Sequence, residues 1–398
     1  MLHKSATIRQ TDIALNPIDV SYIPHHMNED ALSEHAVSPP IFQTSNFCFS
    51  SFVELKAALE DEVGSCLYTR GNNPTVNLVE SKIAALEHGE KAKLLGAGVA
   101  AISNAVMAFV RQGDHIICVA DSYGWMQRLL TYLERFGVSH TIVDGTRTED
   151  IERAIRPETR IIYLESPTSL TFFIQDIPAI TAIAKAHGIR TIMDNSWATP
   201  IFCNPIDFGV DLVVHSLSKY LGGNSDIIGG VIVGKAEDID HIVWQESLQM
   251  GAVADPFMAW LVMRGMRTLH IRMPVHYRSA LAVAQFLENH PRVASVNYPM
   301  LASHPQHELA QKLFRGGSGL FSFRLKTHSV EDVARFVDSL SLFKRAVSWG
   351  GYESLVFPEA AHYAGSVPAD RLNLIRLHIG LEDASLLVQD LAQALEGV

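Results

Sequence analysis

Apolar positions along most of the chain recur at two alternating periods. In NPTVNLVESKIAALEHG, Val76, Val79, Ile83 and Leu86 fall at helical spacing, and His88-Gly89 closes the run. KAKLLGAG then reads as a short strand ending in glycines, and AAISNAVMAFVRQG as a helix. HIICVA, HTIVD, RIIYLES, RTIMDNS and DLVVHSL are short β-branched or apolar runs, most of them separated by helical stretches. This alternation predicts a mostly parallel sheet covered by helices on both faces. Ligands of such sheets lie beyond the carboxyl ends of the strands. There the pattern leaves its polar residues: Glu165 after IIYL, Asp194 after TIM, and His215-Ser216 after LVV.

A long helical stretch from Pro256 to His290 carries no strand pattern and leads out of this domain. Beyond it, VASVNYP, GLFSFRLK and LIRLHIGL read as strands, and EDVARFVDSL and DASLLVQDLAQALEGV as helices. The expected organisation is an N-terminal arm over 1–60 lying on a neighbouring subunit, a large domain over 61–255 and a smaller α+β domain over 256–398. The arm is expected because 1–60 is irregular and rich in polar residues, with prolines at 39 and 40.

Composition narrows the classes. The chain has 398 residues, 47% hydrophobic and 19% charged, as in an ordinary globular protein. A formal net charge of −11 argues against a general nucleic-acid partner, since nothing neutralises phosphates over a broad surface. No stretch approaches the roughly 18 consecutive apolar residues of a membrane span. The N-terminus lacks the apolar run of a secretion signal. Cys48, Cys66, Cys118 and Cys203 are scattered without metal-like spacing, so no metal site is expected and a reduced, cytoplasmic compartment is the simplest setting.

The block His215-Ser216-Leu217-Ser218-Lys219-Tyr220, followed by LGGNSD, carries the chemistry. A partly desolvated lysine at a strand end, flanked by hydroxyls, suits an imine to pyridoxal 5′-phosphate (PLP), with the serines on its phosphate. Asp194, one strand earlier, suits the ring nitrogen, which must keep its proton to withdraw electrons; a carboxylate there also serves as a turn cap. Gly96-Ala97-Gly98-Val99 forms a glycine-rich turn opening a helix, which is a ready anion site but not a GxGxxG dinucleotide motif. Tyr123 follows the strand HIICVA, where its ring suits either stacking on a cofactor or half-burial in the core.

YTRGNNPT, GAGVAAI, ESPTS, MDNSWATP and HSLSKYLGGNSD, in this order, resemble the Cys/Met-metabolism family of PLP enzymes, the trans-sulfuration lyases and synthases of fold type I. The resemblance runs from about residue 38 to the C-terminus. It implies an α/β fold with a smaller C-terminal α+β domain, and PLP as cofactor. By resemblance, Lys219 anchors the cofactor and moves protons, Asp194 pairs with the pyridine nitrogen, and Tyr123 stacks on the ring. Gly98, Val99, Ser216 and Ser218 would hold the phosphate from one subunit, and Tyr68 and Arg70 from the neighbour. The partners implied are a small amino-acid substrate and further copies of the chain, a dimer at least and a tetramer by family habit.

Arg376 in LIRLHIGLED resembles the arginine that grips the substrate α-carboxylate, for which a guanidinium fork is suited. AVSWGGYESL, with Ser348 and Trp349, and Ser169 in ESPTS look closest to the bacterial cystathionine β-lyase branch. Trp349 stands where γ-acting relatives tend to carry Leu, and Ser169 where they carry Asn. Val347 and Trp260 depart from the β-lyase pattern and bear on the substrate side chain. The activity implied is β-elimination from cystathionine, and from cystine-type substrates, to pyruvate, ammonia and a thiol such as homocysteine. γ-Lyase, methionine γ-lyase and γ-synthase chemistry are the alternatives on the same scaffold.

Overall fold

The computed structural model describes residues 17–29 and 36–398. Seven strands form the larger sheet: β1 (Lys91–Leu95), β2 (His115–Val119), β3 (Ser139–Val143), β4 (Thr159–Glu165), β5 (Arg190–Asp194), β6 (Leu212–Ser216) and β7 (Gly230–Gly234). Their order is β1-β7-β6-β5-β4-β2-β3, and only β7 runs against its neighbours. The pleat sends alternate side chains to opposite faces. Ile192 and Val214 thus meet Ala101, Ile102 and Val106 of the helix Gly98–Met107, with Met126 and Leu130 of the helix Gly124–Glu134. Met193 and Val213 face a second core with Val79 and Ile83 of the helix Pro74–Leu86 and Ile180 of the helix Ile177–Ala186.

β7, the short GVIVG run, lies between β1 and β6 and was not among the strands the sequence pattern picks out. Its glycine has a purpose. Gly230 pairs with Leu95 and Ser216, and a Cβ on it would lie 2.3 Å from the Ala97 carbonyl oxygen. Only a bare backbone lets the start of the helix Gly98–Met107 sit this close to the sheet.

The expected single helical stretch from Pro256 is two helices, Pro256–Met266 and Leu269–Glu288. Asp255 caps the first, accepting from the amides of Phe257 (2.9 Å) and Met258 (3.1 Å), with Pro256 pre-set for the first turn. It stops where Gly265 abuts the Gly222 carbonyl and Arg272 reaches back to the Gly265 carbonyl at 2.9 Å.

The second sheet contains β8 (Val293–Asn297), β9 (Leu320–Leu325), β10 (Lys344–Arg345), β11 (Leu355–Pro358) and β12 (Leu374–His378), in the order β10-β11-β12-β9-β8. One continuous core runs from Val79 beneath the first sheet to Phe323, Ile375 and Leu391 beneath the second, so the two sheets hold a fixed relation. Residues 1–16 and 30–35 of the expected arm lie outside the described residues. The remainder of that stretch contains two helices, Pro17–His26 and Phe52–Glu60. The first is held by Lys82, whose buried amine donates to the Ile23 and Pro24 carbonyls and to Glu29. No helix among the described residues is long and apolar enough to cross a membrane.

Candidate active site

β4, β5 and β6 end side by side, with Glu165 paired to Asp194 and Asp194 to Val214, so Glu165, Asp194 and Ser216 emerge at one edge. A cavity of about 570 Å³ opens there and is closed from the other side by the loop Ala346–Trp349 and by Arg376 of β12. Gly98, Val99, Tyr123, Ser169, Asp194, Ser216, Ser218, Lys219, Ser348, Trp349 and Arg376 all line it. The sequence places these residues over 279 positions of chain (376 − 98 + 1), and the fold gathers them at one site.

Lys219 sits on the loop following β6, whose turn is closed by Leu217 N–H to the Gly229 carbonyl and Gly223 N–H to the Lys219 carbonyl. Its amine donates to Ser348 Oγ at 2.6 Å and stands 5.0 Å from the centre of the Trp349 indole. Gly350, at φ +91°, makes this approach possible, because a Cβ there would lie 2.8 Å from Lys219 Cα. Burial lowers the Lys219 amine from 10.5 to about 8; the Arg376 charge adds to the shift and Asp194 opposes it. Arg376 is itself lowered by burial to about 10 and remains a cation at neutral pH. It donates to the Val347 carbonyl at 2.7 Å.

Asp194 accepts from the Ser196 amide at 2.9 Å through Oδ1, and among the described residues no cation lies within ion-pair distance of its Oδ2. Burial raises its carboxyl above the ordinary value, against the pull of Ser196, His215 and Lys219. A protonated ring nitrogen placed against that oxygen would supply the missing cation, so the site fits a pyridinium. Tyr123 opens the helix Gly124–Glu134, and its amide donates to Glu165 at 2.6 Å. Its phenol is raised first by burial, then by Asp194 and Glu165. Glu165 is also raised, by burial and by Asp194.

The helix Gly98–Met107 begins behind Ala97, which offers no side-chain cap, so its first amides are left for an anion. Ser216 is beside them: a Cβ on Gly98 would lie 3.0 Å from Ser216 Oγ. Ser218 Oγ accepts from the Gly229 amide at 3.2 Å. Uncapped amides and two hydroxyls make a donor set that fits a phosphate.

Three residues do not join this cavity within one chain. Tyr68 and Arg70 line a separate one of about 450 Å³, with Gln43, Thr44 and the segment Val253–Pro256. Trp260 packs on the core and donates its indole N–H to the Pro39 carbonyl at 3.1 Å. Ser169 lines the cavity with its hydroxyl turned to Glu165.

Sequence reasoning assigned no role to Ser196, whose hydroxyl accepts from the Ser216 amide at 2.8 Å and so links β5's end to β6. Nor did it single out Glu353, which lines the cavity and accepts from Ser225 at 2.6 Å, joining the lysine loop to the small domain. Proximity to Asp194 was a usable signal for Ser196. Glu353 had none.

A family model described as Cys/Met metabolism PLP-dependent enzyme matches residues 20–396. L-methionine gamma-lyase of Treponema denticola is 39% identical over 374 residues, 91% of this chain and 92% of its own. Cystathionine gamma-lyase of Bacillus subtilis is 38% identical, covering 91% of this chain and 95% of its own. Cystathionine beta-lyase of Lactococcus lactis is 38% identical, covering 91% and 94%.

Proposed function

The chain belongs to the Cys/Met-metabolism family of PLP-dependent enzymes, and from that premise we propose that it is a carbon–sulfur lyase acting by β-elimination on cystathionine and cystine-type amino acids. The observation that carries this reading is the convergence of Lys219, Asp194, Arg376 and Ser348 on one cavity, with the Trp349 indole over the lysine amine. When bound, PLP supplies a sink for the electrons left on Cα when its proton departs.

The remaining work belongs to the protein. Lys219 is the anchor for the cofactor aldehyde. Its lowered basicity suits the Lys219 amine to take the Cα proton near neutral pH and to deliver protons afterwards. Asp194 would hold the proton on the ring nitrogen, and Tyr123 would cover the ring beside the substrate amine. Gly98, Val99, Ser216 and Ser218 hold the phosphate. Arg376, with Ser348 near Lys219, fixes the α-carboxylate and thereby directs the Cα–H bond toward the Lys219 amine. The thiolate leaves from Cβ, and water hydrolyses the three-carbon remainder to pyruvate and ammonia.

Trp349 supports β- over γ-elimination. A γ-lyase must move a further proton at Cβ, and the indole 5.0 Å from Nζ restricts the space for the lysine to swing. The second reading, γ-elimination, is favoured by relatives named for it at 38–39% identity, against 38% for those named beta-lyase. The keto acid separates the two. Purified enzyme given cystathionine, cystine and methionine separately is expected to yield pyruvate from the first two. 2-Oxobutyrate from cystathionine or methionine as the main product would replace this reading with γ-lyase chemistry. The proposal includes a cytoplasmic location and a homo-oligomer.

A further inference from the structure

Beneath the sheet, on the face away from the cavity, lies a buried carboxylate that the chemistry above does not use. Glu87 follows the helix Pro74–Leu86 and is fully buried, as is His215. Its Oε1 accepts from His215 Nε2 at 2.5 Å and from Asn195 Nδ2 at 2.8 Å. Asn195 is the residue after Asp194, and His215 the residue before Ser216. The pleat sends Asp194 and Ser216 to one face and their neighbours Asn195 and His215 to the other. Asn195 also donates its amide N–H to the Val214 carbonyl at 3.0 Å, so the two tips are adjacent.

We propose that Glu87 is a positioning residue for cofactor binding, a single carboxylate oxygen that sets the spacing of the two strand tips carrying Asp194 and Ser216. The inference rests on the proposed cofactor roles of those two residues. Glu87 Oε2 and His215 Nδ1 are buried without a partner among the described residues, so on this face Glu87 Oε1 is the atom that joins the two side chains. Arg315, whose charge acts on Glu87, spends its donors on the Pro200 and Ile201 carbonyls and on Asn204. Removing the Glu87 acceptor would leave the His215 ring unpaired and the Asn195 side-chain amide with only its bond to the Cys203 carbonyl. The two tips would then be joined only by the Asn195 N–H to the Val214 carbonyl and by the Ser216 N–H to Ser196 Oγ, without the brace on the far face.

The test uses the whole chain as apoenzyme, titrated with PLP, recording the dissociation constant, the visible circular dichroism of bound cofactor, and the apoenzyme Tm. Glu87→Leu, which fills the space without an acceptor, is expected to weaken PLP binding at least tenfold and to change the dichroism. Glu87→Gln keeps an oxygen and should restore most of both. Wild-type affinity and dichroism in Glu87→Leu, with only a lower Tm, would overturn the proposal. If Glu87→Leu does not fold, Asn195→Ala, which removes one of the two donors, is expected to weaken binding several-fold, and unchanged binding there overturns it equally. Asp194→Ala and Ser216→Ala separate the two levels. Loss of affinity in these with none at Glu87 defeats this inference alone, whereas unchanged affinity in both defeats the site reading and this inference with it.

Discussion

At Lys219, burial and the Arg376 guanidinium act in the same direction, and the amine falls to about 8. Only the unprotonated amine attacks an aldehyde. At pH 7 about a tenth of it is then reactive, against roughly one part in three thousand at the ordinary value. The rate at which apoenzyme forms a borohydride-trappable linkage to PLP should therefore climb about tenfold per pH unit below 8 and level off above it. Arg376→Ala should move that bend to higher pH, since it removes a cation. A rate still climbing steeply at pH 10 in the wild type would refute the assignment, as would trapped cofactor on another lysine. Arg376 has a second expected signature. If it holds the α-carboxylate, Arg376→Ala loses one member of a charge pair costing roughly 2–5 kcal/mol, a fall in kcat/KM of tens- to thousands-fold on every substrate. Arg376→Lys should recover part of it, because a point charge lacks the fork. Loss confined to cystathionine, with cystine untouched, would show that Arg376 reads the distal end instead. At this scale the cavity-facing residues were legible because each stands in a motif with its own chemistry. Glu353, which also faces the cavity, and Glu87 were not, because they act through contacts across the fold that no local pattern announces.

Between elements, the decisive contact is the start of the helix Gly98–Met107 against β6 and β7. Gly230→Ala would press a methyl onto the Ala97 carbonyl from 2.3 Å, and the helix start must retreat. Overpacking of this kind costs roughly 1–3 kcal/mol. Because Gly98 and its uncapped amides move with Ala97, PLP affinity should fall along with stability. Urea denaturation and a PLP titration on the variant check both, and unchanged cofactor affinity would mean that these amides do not bind the phosphate. The strands β1 to β6 were legible because their short apolar runs are set off by helical stretches, by polar residues at the sheet edge or, for β1, by a glycine-rich turn. GVIVG was not, because no helix separates it from β6 and the alternation of strands and helices therefore does not mark it. The break between Met266 and Leu269 was hidden for another reason: it is imposed by Gly222 and Arg272, contacts made in space and not in sequence. In the same way, the helix Pro17–His26 depends on Lys82, dozens of residues away.

The whole molecule poses a question of charge. Among the described residues lining the cavity, the cations are Lys219 and Arg376, and both have other tasks: the aldehyde and the carboxylate. A phosphate dianion at Gly98 and Ser216 is left with amides and hydroxyls alone. Arg70 has the opposite problem. It lies half exposed beside a second cavity, with one weak partner in Glu62 at 3.7 Å and Tyr68 beneath it. A second copy of the chain that brings Arg70 and Tyr68 to the phosphate would satisfy both. On that reading Arg70→Ala and Lys219→Ala are each inactive alone, yet a hybrid dimer has one site lacking both residues and one site lacking neither. Random exchange from an equal mixture makes half the dimers hybrid, and half of their sites are intact, so activity should return to about a quarter of wild type in a twofold-symmetric dimer. Differently tagged chains allow the hybrid to be isolated and its activity assigned. An isolated hybrid with full PLP occupancy at its unmutated lysine and no turnover would show that each chain completes its own site, and the role of Arg70 at the phosphate would fall with it.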